Sequence, residues 1–215
     1  MKSILKLENV SYRYQDAKED EFVLKNINFE FEQGKIYAIK GKSGSGKTTL
    51  LSLISGLEKC NKGTILYEEK DLSKMDLDRY RSKEIGIVFQ SYNLLPHLTA
   101  EENIILSMDI NHTKNKNASF YLEKVGLPSS YGNRKILKLS GGEQQRVAIA
   151  RSLSYNPKMI IADEPTGNLD RETEDEILNI FKNLAQKENK CMIIVTHSKN
   201  VCDQADIVYE LKKSS

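Results

Sequence analysis

The 215-residue sequence predicts an α/β fold: a mainly parallel sheet covered by helices on both faces, with an N-terminal antiparallel β-subdomain and an inserted α-helical subdomain. Three observations predict it. Short apolar runs recur along the chain with helical patterns between most of them, the alternation expected of strands joined by crossover helices. The first two strand-like runs alternate at period two across a polar connection, which suits antiparallel pairing. Residues 96–130, by contrast, carry helical patterns with no strand between them.

The elements follow in order. Residues 4–10 and 27–31 (INFEF) alternate apolar and polar side chains, and the acidic DAKEDE between them reads as a surface loop. KIYAIK, residues 35–40, is apolar at its centre and enters a glycine loop at Gly41; TTLLSLISGL behind that loop has its leucines and isoleucine at helical spacing. Further strands are expected at 64–67, 85–89, 158–163, 191–196 and 206–210. Within 96–130, TAEENIILSMDI and SFYLEKVGL read as helices joined by the asparagine-rich NHTKNKN. No internal repeat, low-complexity tail or heptad pattern interrupts this order.

Composition narrows the partner classes. With 39% hydrophobic residues the chain fills a real core as one larger domain or two small ones. Thirty-two Lys and Arg against thirty Asp and Glu give a net charge of +2, too small a field to suggest nucleic acid as a partner. Cys60, Cys191 and Cys202 are scattered, with neither a CxxC pair nor a nearby histidine, and read as reduced thiols of a cytosolic protein. The N-terminus, MKSILKLENV, carries charges throughout, unlike a signal peptide. No stretch approaches the roughly 18 apolar residues of a membrane span, so a membrane role is expected only through another protein.

The chemistry concentrates in three stretches. Gly41-Lys42-Ser43-Gly44-Ser45-Gly46-Lys47-Thr48 matches GxxxxGK[ST] between a strand and a helix. Its glycines let backbone N–H groups converge, the helix points its positive end at a phosphate, Lys47 reaches the outer phosphates and the Thr48 hydroxyl ligates Mg²⁺. Lys42 reads as a solvated cation. KMIIADEP, residues 158–165, is an apolar strand ending in two carboxylates whose side chains point oppositely. Asp163 is therefore assigned to Mg²⁺ through its water shell and Glu164 to the attacking water. The third stretch, LSGGEQQR, has a local reading: Ser140 and Glu143 fit a capping box at the head of QQRVAIARSLS. Gly141 and Gly142 stay unexplained by it, since glycine in a helix costs about 1 kcal/mol relative to alanine and implies a close approach of backbone or ligand. This second anion-binding helix start has no lysine of its own, which suggests that a neighbour supplies the rest of the site.

LSGGEQQR resembles the signature motif of the ABC (ATP-binding cassette) ATPases, and GKSGSGKTT, IIADEP, Gln90 and Thr196-His197 accompany it in that family's order. The resemblance implies the P-loop NTPase fold of the ABC ATPases, with ATP and Mg²⁺ as cofactors, in a single domain: a RecA-like core at about 1–90 and 155–215 and a helical subdomain at about 91–154. It also implies that two copies pair head to tail. Ser140, Gly141, Gly142 and Glu143 of one copy then close over the ATP held by Gly41, Ser43, Gly44, Ser45, Gly46, Lys47, Thr48 and Thr49 of the other. By the same resemblance Tyr14 stacks on adenine, with Tyr12 as the alternative; Gln90 contacts Mg²⁺ and the attacking water; and His197 holds the γ-phosphate. Glu164, His197, Gln90 and Lys47 form the catalytic set, and Thr48, Gln90 and Asp163 the metal set. Asn168-Leu169-Asp170 resembles the loop that communicates across the dimer, although Asn168 or Asp170 also suits the cap of RETEDEILNIFKNL. His97 and His112 are expected to be structural or exposed. Ser198 stands where aspartate is common and Glu143 where glutamine is frequent, neither of which removes a phosphate-touching group. The short segment after His197 leaves no expectation of an appended regulatory domain.

ADEPTGNLD and GIVFQSYNLLPHLTAEENI are most similar to the subgroup holding the lipoprotein-release ATPase, the macrolide and peptide exporters and the cell-division ATPase. That resemblance implies a mechanotransmission motor for export, extraction or antimicrobial-peptide resistance, peripheral to the cytoplasmic face of the membrane. Its partner is a separate integral membrane permease, whose coupling helix meets a groove around residues 90–99. The alternative is a regulator of cell-wall hydrolases acting through a membrane protein. A DNA-repair or translation ATPase would carry a coiled-coil arm, zinc modules or a second ATPase domain, none of which these residues contain.

Overall fold

The computed structural model describes residues 3–16, 18 and 21–213; of the acidic DAKEDE segment, Ala17, Glu19 and Asp20 lie outside them. The chain runs β1 (Ser3–Tyr12), β2 (Leu24–Glu32), β3 (Ile36–Gly41), α1 (Lys47–Ile54), β4 (Lys62–Tyr67), β5 (Lys70–Asp71), α2 (Leu77–Lys83), β6 (Ile85–Val88), α3 (Ala100–Ile110) and α4 (Ala118–Lys124). It continues α5 (Gly141–Leu153), β7 (Met159–Asp163), α6 (Arg171–Glu188), β8 (Cys191–Thr196), α7 (Lys199–Gln204) and β9 (Ile207–Leu211). Two sheets form: an antiparallel one in the order β2-β1-β4-β5, and a parallel one in the order β6-β7-β8-β3-β9. The run at 64–67 stood among the strands expected to alternate with helices in the mainly parallel sheet. It pairs antiparallel with β1 instead, Leu5 opposite Tyr67 and Leu7 opposite Ile65. The period of a strand reports burial, whereas its partner is set by the whole topology.

The parallel sheet works as a two-faced wall. Ile160, Ala162, Met192 and Ile194 face one apolar cluster, built with α3, α4, α5 and α6 through residues such as Ile104, Leu122, Val147 and Phe181. Their chain neighbours Met159, Ile161, Cys191, Ile193 and Val195 face a second cluster, shared with α1, α2 and the antiparallel sheet. Helices therefore cover one face, and helices plus a sheet cover the other. Each fully buried Ile or Met contributes about 1.5–3 kcal/mol, so a register slip of one residue, which exchanges the two faces, is heavily disfavoured. The antiparallel sheet is pinned from below by aromatics: Phe29 stacks on Tyr209 with ring centroids 4.1 Å apart.

Helix starts follow local chemistry. Thr99 and Ser140 each close a capping box, with Glu102 and Glu143 respectively. Asp170 accepts from the Thr173 backbone N–H at 2.9 Å and caps α6, which ends at Asn189 in a left-handed conformation. The three cysteines are free thiols; Cys191 is buried in β8, and burial pushes its pKa well above the ordinary value.

Candidate functional site

Parallel strands end on one side. β3, β6, β7 and β8 therefore deliver the Gly41 loop, Gln90, the Asp163-Glu164 pair and His197 to a common edge, the carboxyl end of a parallel sheet where ligands generally bind. A cavity of about 820 Å³ opens there, lined by Tyr14, Ser43, Gly44, Gly46, Lys47, Thr48, Thr49, Gln90, Asp163, Glu164 and His197 among others.

The loop is shaped for an anion. Gly44 and Gly46 take positive φ, 75° and 90°. At Gly46 a Cβ would also stand 2.8 Å from Leu24 Cδ2 and 3.2 Å from the Val23 carbonyl oxygen, so a side chain is refused twice over. Gly46 leaves α1 without a side-chain cap or an acidic residue in its first turn. Among the described residues each of the other six α-helices has a side chain accepting at its N-terminus. The first-turn N–H groups of α1 are thus the ones left for an anion.

Lys47 and His197 meet at the far wall. Lys47 Nζ donates to the Gly41 carbonyl at 2.8 Å and lies 2.8 Å from His197 Nε2. The same His197 Nε2 lies 3.4 Å from Glu164 Oε1, so the imidazole sits between the ammonium and the carboxylate. The His197 backbone N–H donates to Glu164 Oε2 at 3.1 Å. Glu164 Oε1 is buried without a hydrogen bond. Its backbone is left-handed, φ 44°, and its N–H donates to the Val195 carbonyl at 2.9 Å. Such strain costs on the order of 1–3 kcal/mol and turns the carboxylate out of the strand's alternation.

Asp163 ends β7 half-buried. Burial, and then the Glu164 carboxylate, raise its pKa, with Lys47 opposing. Because the folded chain holds this proton more tightly than the unfolded chain does, ionised Asp163 costs stability at neutral pH, and the cost disappears as pH falls through the raised value. Asp163→Asn is therefore expected to be more stable than the parent in metal-free buffer at about pH 7, with the difference shrinking on acidification; urea midpoints across pH check this.

Do these groups fit a nucleotide with Mg²⁺? An orphan carboxylate oxygen, a crowded carboxylate pair and uncapped amides all fit. Among the described residues no three carboxylate, imidazole or thiol groups gather into a metal cage.

The two candidate aromatics differ in burial. Tyr12 is 6% exposed and packed in the core, whereas Tyr14 is 52% exposed, set edge-on to Tyr12 at 5.2 Å, with its hydroxyl 2.9 Å from Thr49 Oγ1. Gly41 and Ser45 lie within the loop but not on the cavity wall; a Cβ at Gly41 would come 2.3 Å from Ser45 Oγ. Lys42, His97 and His112 are exposed.

Ser140, Gly141, Gly142, Glu143 and Asp170 do not line the cavity. Ser140 Oγ accepts from the Glu143 N–H at 3.3 Å and Glu143 Oε2 from the Ser140 N–H at 2.7 Å, so part of this helix start is already served within the chain. The two glycines also have intrachain neighbours: a Cβ at Gly142 would meet Thr173 Cγ2 at 2.5 Å, and one at Gly141 would meet Tyr92 Oη at 3.1 Å. Neither contact is visible in sequence. Cavity residues that sequence reasoning passed over include Val23, Thr166 and Gly167; Thr166 Oγ1 is 2.9 Å from Glu174 Oε1, and the TG beside DEP was the available signal.

Comparison with known proteins agrees with this geometry. A family described as ABC transporter matches residues 24–167. YclH of Bacillus subtilis, described as an ABC transporter ATP-binding protein, is 44% identical over 217 residues, covering 99% of this chain and 95% of its own. The lipoprotein-releasing system ATP-binding protein LolD of Francisella tularensis is 38% identical over 216 residues, covering 97% and 93%. MJ0796 of Methanocaldococcus jannaschii has been solved as a dimeric ABC transporter cassette, TM-score 0.86 at 37% identity over 97% of this chain and 94% of that one. A dimeric post-hydrolysis state of MJ0796 with ADP and Pi matches with TM-score 0.85 at 36% identity over the same shares. The chain belongs to the ABC transporter family, as one of its ATP-binding, ATP-hydrolysing subunits.

Proposed function

We propose that this subunit is the motor of a transporter of the lipoprotein-release and macrolide-exporter type, dimerising head to tail on ATP and driving a separate membrane permease from the cytoplasmic face. The observation that carries the reading is the split of the site: the cavity gathers Lys47, Asp163, Glu164 and His197, while the glycine start of α5 lies off its wall. The dimeric cassettes of MJ0796 and the likeness to LolD support it.

In this reading the α1 amides and Lys47 hold the phosphates, Tyr14 stacks on adenine, and Thr48, Gln90 and Asp163 face Mg²⁺, which when bound neutralises developing phosphate charge. The Glu164 carboxylate, whose Oε1 makes no hydrogen bond within the chain and lies 3.4 Å from His197 Nε2, orients the attacking water. His197, held by Glu164 through its backbone, stays at the γ-phosphate end beside Lys47. Ser140 to Glu143 and Asp170 serve the partner's nucleotide, and residues of about 91–154 form the helical subdomain beside a core of 1–90 and 155–215. No helix among the described residues is long and apolar enough to cross a membrane. The permease is assigned to the face where Leu95, Leu106 and the 66%-exposed Ile110 rim a cavity of about 330 Å³.

Mixing two dead chains tests the shared site. Lys47→Ala lacks a working phosphate loop and Ser140→Arg lacks a working glycine start; neither turns over alone. In a head-to-tail dimer of one of each, one composite site is complete, so a 1:1 mixture is expected to regain up to about a quarter of the parental ATPase rate. A mixture as inactive as its components overturns the sandwich.

A further inference from the structure

We propose that Tyr92 is a positioning residue that fixes the glycine start of α5 relative to Gln90, so that the two halves of the site move in step. The inference rests on the shared-site reading, in which Gly141 meets the partner's nucleotide.

Tyr92 lies two residues beyond Gln90 and is half-buried. Tyr92 and Asn93 both adopt left-handed backbone, φ 60° and 50°. A bulky side chain is rare in that region, and it persists where surrounding bonds over-determine it. Here they do. The Tyr92 N–H donates to the Phe89 carbonyl at 3.1 Å, the Asn93 N–H to the Ser91 carbonyl at 2.6 Å, and Ser91 Oγ to Asn93 Oδ1 at 2.8 Å.

This turn grips α5 at both ends. Arg151, in the last turn of the helix, donates to the Tyr92 carbonyl at 3.0 Å and to the Asn93 carbonyl. Ten residues earlier, about 15 Å along the axis, the Tyr92 hydroxyl stands so near the helix start that a Cβ on Gly141 would come within 3.1 Å of it. Backbone at one end and phenol at the other leave α5 little freedom to slide or tilt against the turn. A shift of Gln90 thereby reaches Gly141 through one rigid ring. The same contact gives glycine at 141 a reason independent of nucleotide: a methyl there presses on the phenol oxygen and displaces either the ring or the helix start.

The contact makes a coupled-substitution test available. Tyr92→Phe, Gly141→Ala and the double variant are compared for kcat, KM, melting temperature and binding of a fluorescent ATP analogue. Since Tyr92 does not line the cavity, analogue affinity and KM of Tyr92→Phe are expected to match the parent while kcat falls several-fold. Gly141→Ala, which suits a helix better than glycine and so folds, is expected to lose about tenfold in kcat, displacements under 1 Å being enough for losses of that order. In the double variant the vacated oxygen makes room for the methyl, and kcat rises above that of Gly141→Ala alone. Additive losses, absence of any loss, or coupling confined to melting temperature each overturn the proposal. Failure of the Lys47→Ala and Ser140→Arg mixture, with the Tyr92–Gly141 coupling still present, overturns the shared site instead and leaves this contact standing.

Discussion

Glu164→Gln is expected to bind ATP-Mg²⁺ as the parent does and to hydrolyse it about 10²- to 10⁴-fold more slowly, the usual worth of a positioned carboxylate. The geometry explains the selectivity. Glu164 lines the cavity at a left-handed turn; its Oε2 accepts from the His197 N–H, while Oε1 makes no hydrogen bond and lies 3.4 Å from His197 Nε2. An amide keeps the size and one acceptor but loses the charge that polarises water. With turnover stalled and affinity kept, the variant accumulates as an ATP-loaded dimer, visible as a doubling of mass by light scattering. A variant that stays monomeric in saturating ATP-Mg²⁺, or one that hydrolyses at the parental rate, removes Glu164 from the role given to it.

Lys47→Ala fails earlier, at binding. Truncating one partner of a hydrogen-bonded charge pair costs about 2–5 kcal/mol, which corresponds to roughly 30- to 5,000-fold in affinity for ATP. Lys47 Nζ otherwise engages the Gly41 carbonyl and His197, polar contacts near the surface whose net worth is roughly 1 kcal/mol, so the urea midpoint should move little. Titration with a fluorescent nucleotide, alongside melts, separates the two effects. Equal losses of affinity and fold stability would mean that the lysine holds the loop together rather than the phosphates.

The fold was legible wherever burial has a short period. β3, β7 and β8 read as apolar runs because both faces of the parallel sheet are covered, and α1, α5 and α6 read as helices because one stripe of each faces the core. The partner of β4 was illegible: Ile65 and Tyr67 report a buried face without saying which strand lies alongside. α2 and α7 bury one side chain each, Tyr80 and Val201, so no apolar stripe marks them in the sequence. The cavity wall was legible where its residues sit in contiguous motifs at strand ends. Contacts across the sequence were not: Thr173 against Gly142 and Tyr92 against Gly141 join residues with no local pattern between them. Gly141 and Gly142 had pointed to a neighbour, and the chain supplies a close one of its own.

The interleaving of Ile160 and Ile161, Ile193 and Ile194 onto opposite clusters has a mechanical corollary. The parallel sheet is a bulkhead: side chains on the α5 side touch none of those on the α1 side through it, and only the backbone is common to both compartments. Repacking on one side therefore cannot diffuse through the wall to the other. It must travel around the rim, and the rim carrying Gln90, Glu164 and His197 is the one that opens onto the cavity.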